Sequence, residues 1–503
     1  MRRNGWCAGA AVGAALLSPA GLVAQAYRVQ LDTRFQSVTY RGWQLDSVAA
    51  STVIVGANGG FETPSGFAAT CVPGRTVCTF YRPGPEHQAM PVVSMADVSL
   101  WDLGLPGLRA YGRARVGTDL ADPDVWPGAR PALQLVEAFV EYDRGPWSVQ
   151  AGRLHEASRL GYTGFDGGRA HARLLGGALS ATAFGGWGLA WGTPLLVTSE
   201  ALNPLGEFRP GQRQIVFGGD LGVAVGPARG RVLYEREVDP GPDHLVAERA
   251  GADVELRVAR NVSVNGGADY DLAFGELGSL DATLAVTIPS AHTSVALGGR
   301  RYRPYFELWS IWGAFSPVPY HAGFLSVAVT PHTRVQVRAR GEVYGFDAAG
   351  AATPLAPVDD DGWRASLGAT YRHAPTLIVS ADYHIDKGPG AGTIGLDGSV
   401  YWRPMPRIGL RGSVANLQRV LELRFNEADV WLYGVDADVQ VVDQVRAFGG
   451  LTYYDEQRDR PDAAAFSWHQ LRIHTGLRLS LGSGADRATL PAAILRIPEG
   501  GAR

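Results

Sequence analysis

His155-Glu156 and His171 flank one stretch of the chain, and two imidazoles with a carboxylate are the raw material of a metal site or of a general acid and base. The plainer reading is polar residues around a connection. His384 with Asp382 invites the same question, since residues two apart on a strand share a face; two polar residues lining a wet surface is again the simpler account. Asp269 and Asp271 in "GGADYD" offer oxygens for calcium, but the ion needs six to eight and two are visible. No G-x-S-x-G, H-E-x-x-H, P-loop or paired Cys-x-x-Cys is present. The sequence therefore points to no enzyme and implies no cofactor and no metal.

The elements that would carry these residues are more informative. "MRRNGWCAGAAVGAALLSPAGLVAQA" has two arginines, a short apolar run and Ala24-Gln25-Ala26, the pattern of a secretory signal peptide cleaved after Ala26. Cys7 leaves with it. The mature chain keeps Cys71 and Cys78 around a Pro-Gly turn, and in an oxidising compartment this pair reads as a disulfide. No later run is long and apolar enough for a transmembrane helix.

Composition excludes a further class. The formal charge over 503 residues is -3, with no basic excess to hold nucleic acid. The 65 glycines suit sheets and barrels better than helical bundles.

The commonest pattern is a period of two. Arg334, Gln336, Arg338, Arg340 and Glu342 alternate with Val335, Val337, Ala339, Gly341 and Val343. Arg249, Asp253, Glu255 and Arg257 alternate with Ala250, Ala252, Val254, Leu256 and Val258, and "HQLRIHTGLRLSLG" repeats the scheme. Such runs are strands with one apolar and one charged face. At about 10 to 13 residues they have the length of tilted membrane-spanning strands. Tight turns are expected near 104–107, 143–146, 226–229, 259–261, 289–291, 330–332, 373–375, 403–406 and 442–443, with longer loops between them, such as Leu189–Arg213, Arg303–Tyr320 and Asp347–Gly362. Aromatics end the apolar faces: Tyr142, Tyr371 and Trp402 near the turns, Tyr270, Tyr383, Trp431, Tyr433 and Tyr453 near the loops. This is the layout of the two interfacial girdles of a membrane barrel. The expected fold is all-β, a transmembrane antiparallel up-and-down barrel of about 22 strands, within roughly 18 to 24. It divides the chain into a signal peptide (1–26), a barrel (27–482) and a C-terminal tail (483–503).

The chain resembles the porin-like outer-membrane channel families of Gram-negative bacteria. The likeness runs over nearly the whole mature chain as a pattern, and locally over "VEAFVEYDRGPWSVQAGRLHEASRLGYTGFDGGRAHARL" (136–174), similar to a hairpin of several uptake-channel barrels. Two departures stand out. The last strand is followed by "GSGADRATLPAAILRIPEGGAR", and barrel-like alternation begins at "YRVQLDTRF" with no plug domain before it. The resemblance implies an outer-membrane location and a passive or uptake channel for small hydrophilic solutes. Its partners would be outer-membrane lipid, lipopolysaccharide and the barrel assembly machinery, with association into a homo-oligomer left open. The other class is a structural or adhesive surface barrel with a filled lumen and partner-binding loops.

Parity assigns to the pore lining Arg113, Arg115, Glu137, Glu141, Arg249, Asp253, Glu255, Arg257, Arg334, Arg338, Arg340, Glu342, Asp382, Arg446 and Arg472. Arginines and acids nearly balance, which suits a general pore better than an ion-selective one. A barrel this wide needs an inward segment to be selective. The candidate is a loop over Leu154–Gly168, carrying Glu156, Arg159 and Asp166 and bracketed by Arg153 and Arg169, which would anchor it to Glu137 and Glu141.

Overall fold

The computed structural model describes residues 24–55, 60–121, 133–189, 214–239, 244–303, 319–347, 361–388, 391–421, 428–458 and 467–483. Residues 1–23 of the expected signal peptide, the residues beyond 483 and the interiors of the three expected long loops lie outside the described residues.

The chain is strand after strand. β1 (Ala24–Ala49) is followed by the short β2 (Ile54–Val55), β3 (Phe61–Glu62) and β4 (Ala69–Cys71), then β5 (Val77–Ala89) and β6 (Pro91–Leu103). Next come β7 (Leu108–Asp119), β8 (Leu133–Arg144), β9 (Trp147–Ser158), β10 (Gly161–Leu174), β11 (Leu179–Gly188), β12 (Ile215–Val225), β13 (Ala228–Asp239), β14 (His244–Ala259), β15 (Val262–Asp271) and β16 (Glu276–Ile288). β17 (Thr293–Tyr302), β18 (Tyr320–His332), β19 (Val335–Phe346), β20 (Asp361–Ala374) and β21 (Leu377–Gly388) follow. The last are β22 (Ala391–Met405), β23 (Ile408–Leu421), β24 (Ala428–Val442), β25 (Val445–Arg458) and β26 (Trp468–Gly482).

β1 closes the sheet. Its first half pairs with β26 on one side, from Arg28↔Gly482 to Val38↔Arg472, and with β6 on the other, from Ala24↔Leu103 to Phe35↔Val92. β1 and β6 through β26 thus form a closed antiparallel barrel of 22 strands, each bonded to its sequence neighbours. Closure satisfies the backbone without an edge, as a lipid-facing sheet requires.

The period of two becomes two faces. Val232, Val343 and Val435 stand 61%, 66% and 62% exposed on a large apolar surface, and Leu221, Leu297, Leu367 and Leu477 share it. The charged residues of the same strands point the other way and meet one another. Tyr371, Trp402, Tyr270, Tyr383, Tyr433 and Tyr453 are exposed on the apolar face. An apolar band outside and a charged lining inside define a membrane-spanning β-barrel.

The strands run one to three residues further than the turn residues suggest: β18 continues to His332, β20 to Ala374, β22 to Met405 and β24 to Val442. Arg334 therefore sits in the turn before β19, exposed, and not within the strand. One turn escaped the sequence pattern, Leu175–Gly177, where φ is +52°, +68° and +92°. On the other side several connections are short; β9 and β10 are joined by Arg159 and Leu160 alone.

The segment holding Cys71 and Cys78 is more ordered than the long loop the sequence suggests. β1 runs past the rim, and its second half pairs with β5 from Val38↔Ala89 to Ala49↔Val77. This two-stranded arm extends about 35 Å at 3.3 Å per residue. Arg41 braces its root, with its guanidinium 4.2 Å from the Trp468 ring and donating to the Ser467 carbonyl at 2.9 Å. At the far end β4 lies on β5, Cys71 is in register with Cys78, and the two form a disulfide.

Candidate functional site: an inward hairpin and a charged inner wall

The β9–β10 hairpin is in register from Trp147↔Ala172 to Ser158↔Gly161. β8 follows β9 only as far as Ala138↔Arg153, and β11 follows β10 only to Gly188↔Phe165. Beyond those points the strand residues between 154 and 164 pair, among the described strands, only with each other, and the tip leaves the wall. Gly152 sits at the bend with φ +140°, and a Cβ there would lie 2.2 Å from the Ala138 carbonyl oxygen. Only glycine meets both demands. Opposite the bend, β8 changes register against β7 between Arg113 and Ala114.

The tip goes inward. Arg159 donates to Asp253 Oδ1 on β14 at 2.6 Å, and to Asp281 Oδ1 at 2.5 Å and Ser279 Oγ at 3.3 Å on β16. Arg249 on β14 donates to the Leu160 carbonyl at 2.9 Å, and Thr163 donates to Glu235 on β13 at 2.9 Å. A hairpin lying in the wall could not reach strands four and six places away. The receiving wall is recessed: a Cβ on Gly251 would come within 2.9 Å of the Leu160 side chain, and one on Gly267 would meet the Arg159 guanidinium.

Burial decides what holds the tip. In a barrel whose apolar face points outward little is buried, yet Leu154, Leu160 and Phe165 are 1%, 2% and 0% exposed. Phe165 stacks on Phe184 at 5.4 Å. Each such side chain contributes about 1.5–3 kcal/mol. The Arg159 pairs are partly open to water, with side-chain exposures of 17% for Arg159, 32% for Asp253 and 41% for Asp281. Such pairs contribute about 1 kcal/mol or less each. Apolar burial fixes the tip; the arginine sets where it lands.

The expected loop over Leu154–Gly168 is therefore two strands and a two-residue turn. Its anchors also differ from the expected ones. Arg153 forms a two-pronged pair with Asp166 at 2.7 and 3.0 Å and donates to the Leu135 carbonyl at 2.8 Å. Arg169 binds Glu156 at 2.5 Å, Gln150 Oε1 at 3.1 Å and the His155 carbonyl. The reason is register: Arg153 faces Asp166 directly, and Arg169 faces Gln150. The two pairs lie on opposite faces of the hairpin and stiffen it. Glu141 takes Arg109 at 2.5 Å, with Gln150 as a second donor. Glu137 faces Arg113 across β7–β8.

The other parity-assigned residues form a ladder of pairs along the strands. Arg113 binds Asp97 at 2.5 Å, and Arg231 binds Asp253 at 3.1 Å. Arg338 grips both carboxylate oxygens of Asp382, at 2.9 and 2.6 Å. Glu342, its side chain 1% exposed, takes Arg300 at 2.7 Å, Arg340 at 2.8 Å and the Tyr320 hydroxyl at 2.7 Å. Arg446 donates to Gln440 at 3.0 Å, Arg472 contacts Gln470 at 3.4 Å, and Glu255 stands 3.8 Å from Arg229. Arg115 folds its guanidinium over Gly117, and Arg257 is exposed near the turn end of β14. Sequence reading passed over Asp97, Arg300 and Tyr320. Their strands are too short of charge to stand out, although their parity matches that of their partners.

The residues that suggested chemistry are drawn apart. His155 stacks on Tyr162 at 5.2 Å, while His171 is bonded to Thr182 at 3.1 Å. Asp271 accepts the Ala273 amide at 3.0 Å, and Asp269 is bonded to Ser279. His384 lies 3.6 Å from Asp397, and Asp382 is held by Arg338.

No family model matches the chain, and no curated protein matches it. Among solved structures, OccK3 (OpdO) of Pseudomonas aeruginosa is 10% identical, covers 92% of this chain and 97% of its own, and has a TM-score of 0.38. OpdK of the same organism, solved with vanillate, is 8% identical over 92% of this chain and 100% of its own, with a TM-score of 0.38. The FrpB iron transporter from Neisseria meningitidis is 9% identical over 91% of this chain and 82% of its own, with a TM-score of 0.44.

Proposed function

We propose that this chain is an outer-membrane channel through which small hydrophilic solutes pass passively, narrowed by the β9–β10 hairpin. The observation that carries the reading is the inward course of residues 154–164, fixed by Arg159 to Asp253 and Asp281. A surface barrel has no use for such a segment, whereas a wide pore needs one to select. The pore-lining residues then form a wall in which arginines and carboxylates alternate and many pair, favouring neither ion sign. In this reading the signal peptide directs export, the apolar band meets outer-membrane lipid and lipopolysaccharide, and the barrel assembly machinery inserts the chain.

Purified protein in planar lipid bilayers tests this. Stepwise, weakly ion-selective conductance is expected. A correctly folded barrel that never conducts would contradict the reading and favour a surface-binding role, for which the disulfide-headed arm is the natural element.

A further inference from the structure

Beneath the hairpin tip, between it and the inner wall of β13 to β17, lies a nook of about 600 Å³. We propose that it is a binding subsite for neutral, polyhydroxylated solutes of sugar size. The inference rests on the channel reading and deepens it, by naming the class of solute.

Charge matching is the first argument. Arg159, Arg231 and Arg249 enter the nook from the turn, β13 and β14, with Asp253 and Asp269 among them. Asp281 holds Arg159 from behind, so three cations meet three carboxylates. All are already engaged: Arg159 with Asp253 and Asp281, Arg231 with Asp253, Arg249 with the Leu160 carbonyl, Asp269 with Ser279. A solute with net charge adds an unmatched charge to this balanced set, and at Arg159 and Arg231 it must compete with Asp253 and Asp281 for its counter-ion. A hydroxyl both donates and accepts, so a polyol can add to the spare lone pairs and N–H groups of a matched array without breaking it.

Shape is the second. The volume lies within the usual range for small-molecule sites. Tyr302 on β17 lines the nook and is half exposed, presenting an aromatic ring to the C–H side of a sugar.

Glucose, glucuronate and glucosamine share one pyranose ring with charges of zero, minus one and plus one at pH 6. Their binding to the detergent-solubilised full chain is measured by calorimetry, and their block of single-channel current is measured in bilayers. Glucose is expected to bind best, with both charged analogues weaker by about tenfold or more. Arg231→Gln leaves the Arg159–Asp281 clasp in place and should shift the preference towards glucosamine; Asp253→Asn should shift it towards glucuronate. Heat-modifiable migration checks the folding of each variant, and if Asp253→Asn does not assemble, Arg231→Gln decides. The proposal is overturned if glucose does not bind, if a charged analogue binds as well, or if folded variants keep the original order. Glucose binding in a barrel that does not conduct would sustain the subsite and sink the channel; conduction without glucose binding would do the reverse.

Discussion

Arg159 Nε lies 2.6 Å from Asp253 Oδ1, a contact between residues 94 apart in sequence, one in the β9–β10 turn and the other on β14, which neither β9 nor β10 pairs with. It exists because the β9–β10 hairpin folds across the lumen, and it marks where the tip lands.

The relative weight of charge and burial can be measured there. Leu160→Ala should lower the opening free energy of the tip by about 2–4 kcal/mol, the usual cost of emptying a buried leucine site. Arg159→Gln should cost about 1 kcal/mol or less, because its partners are partly wet. Hydrogen exchange of the amides between residues 154 and 164 reads both values. If the arginine variant is the more damaging, the electrostatic clasp outweighs the apolar anchor.

Gly152→Val places a β-branched side chain at φ +140°, against the Ala138 carbonyl. Strain of this kind costs about 1–3 kcal/mol before the clash is added. The expected result is poor assembly, seen as loss of heat-modifiable migration. Gly74→Ala, at φ +83° but with open space around its Cβ, is the control and should assemble. Equal behaviour of the two would show that the close approach at residue 152 is unimportant.

Reducing the Cys71–Cys78 disulfide should leave the barrel intact. The link closes a small loop at the end of the arm, and chain entropy gives it about 2 kcal/mol of local constraint. After reduction both thiols should label, protease sensitivity should rise between residues 50 and 76, and migration of the folded barrel should not change. Loss of the folded band would mean that the arm helps to hold the barrel closed.

Glu342 is enclosed by Arg300 and Arg340, with Arg364 3.7 Å away. Glu342→Gln removes the carboxylate and leaves the cations without their shared counter-ion. Reversal potentials under a salt gradient should move towards anion selectivity. An unchanged potential in a folded variant would place this cluster off the conduction path.

The barrel is legible in the sequence because its signal is local. Arg338, Arg340 and Glu342 against Val337, Ala339 and Gly341 state the period of two within six residues, and the same statement recurs strand after strand. The course of the hairpin is not local. Gly161, Gly164, Gly167 and Gly168 read as loop, yet Gly167 is glycine because a Cβ would lie 2.1 Å from the Gly185 carbonyl oxygen in a tightly paired strand. The arm was hidden for a similar reason. Pro83, Gly84 and Pro85 look like a break, and β1 accommodates them by a register shift between Arg41 and Trp43. The ion pairs divide in the same way. Partners that face each other across adjacent strands, such as Arg231 and Asp253, follow from parity and register. The bond from Arg159 to Asp281 depends on which wall the tip reaches, and no spacing along the chain encodes that.

The most direct test is to remove the hairpin tip. Deleting residues 157–162 and closing the gap with a two-residue turn keeps the wall-bonded parts of β9 and β10, which end at Arg153 and Phe165. Single-channel conductance of the folded deletion variant should rise by about twofold or more, since the bare lumen of so wide a barrel far exceeds what side chains fill. Conductance equal to that of the full chain would place the tip off the solute path and contradict the account.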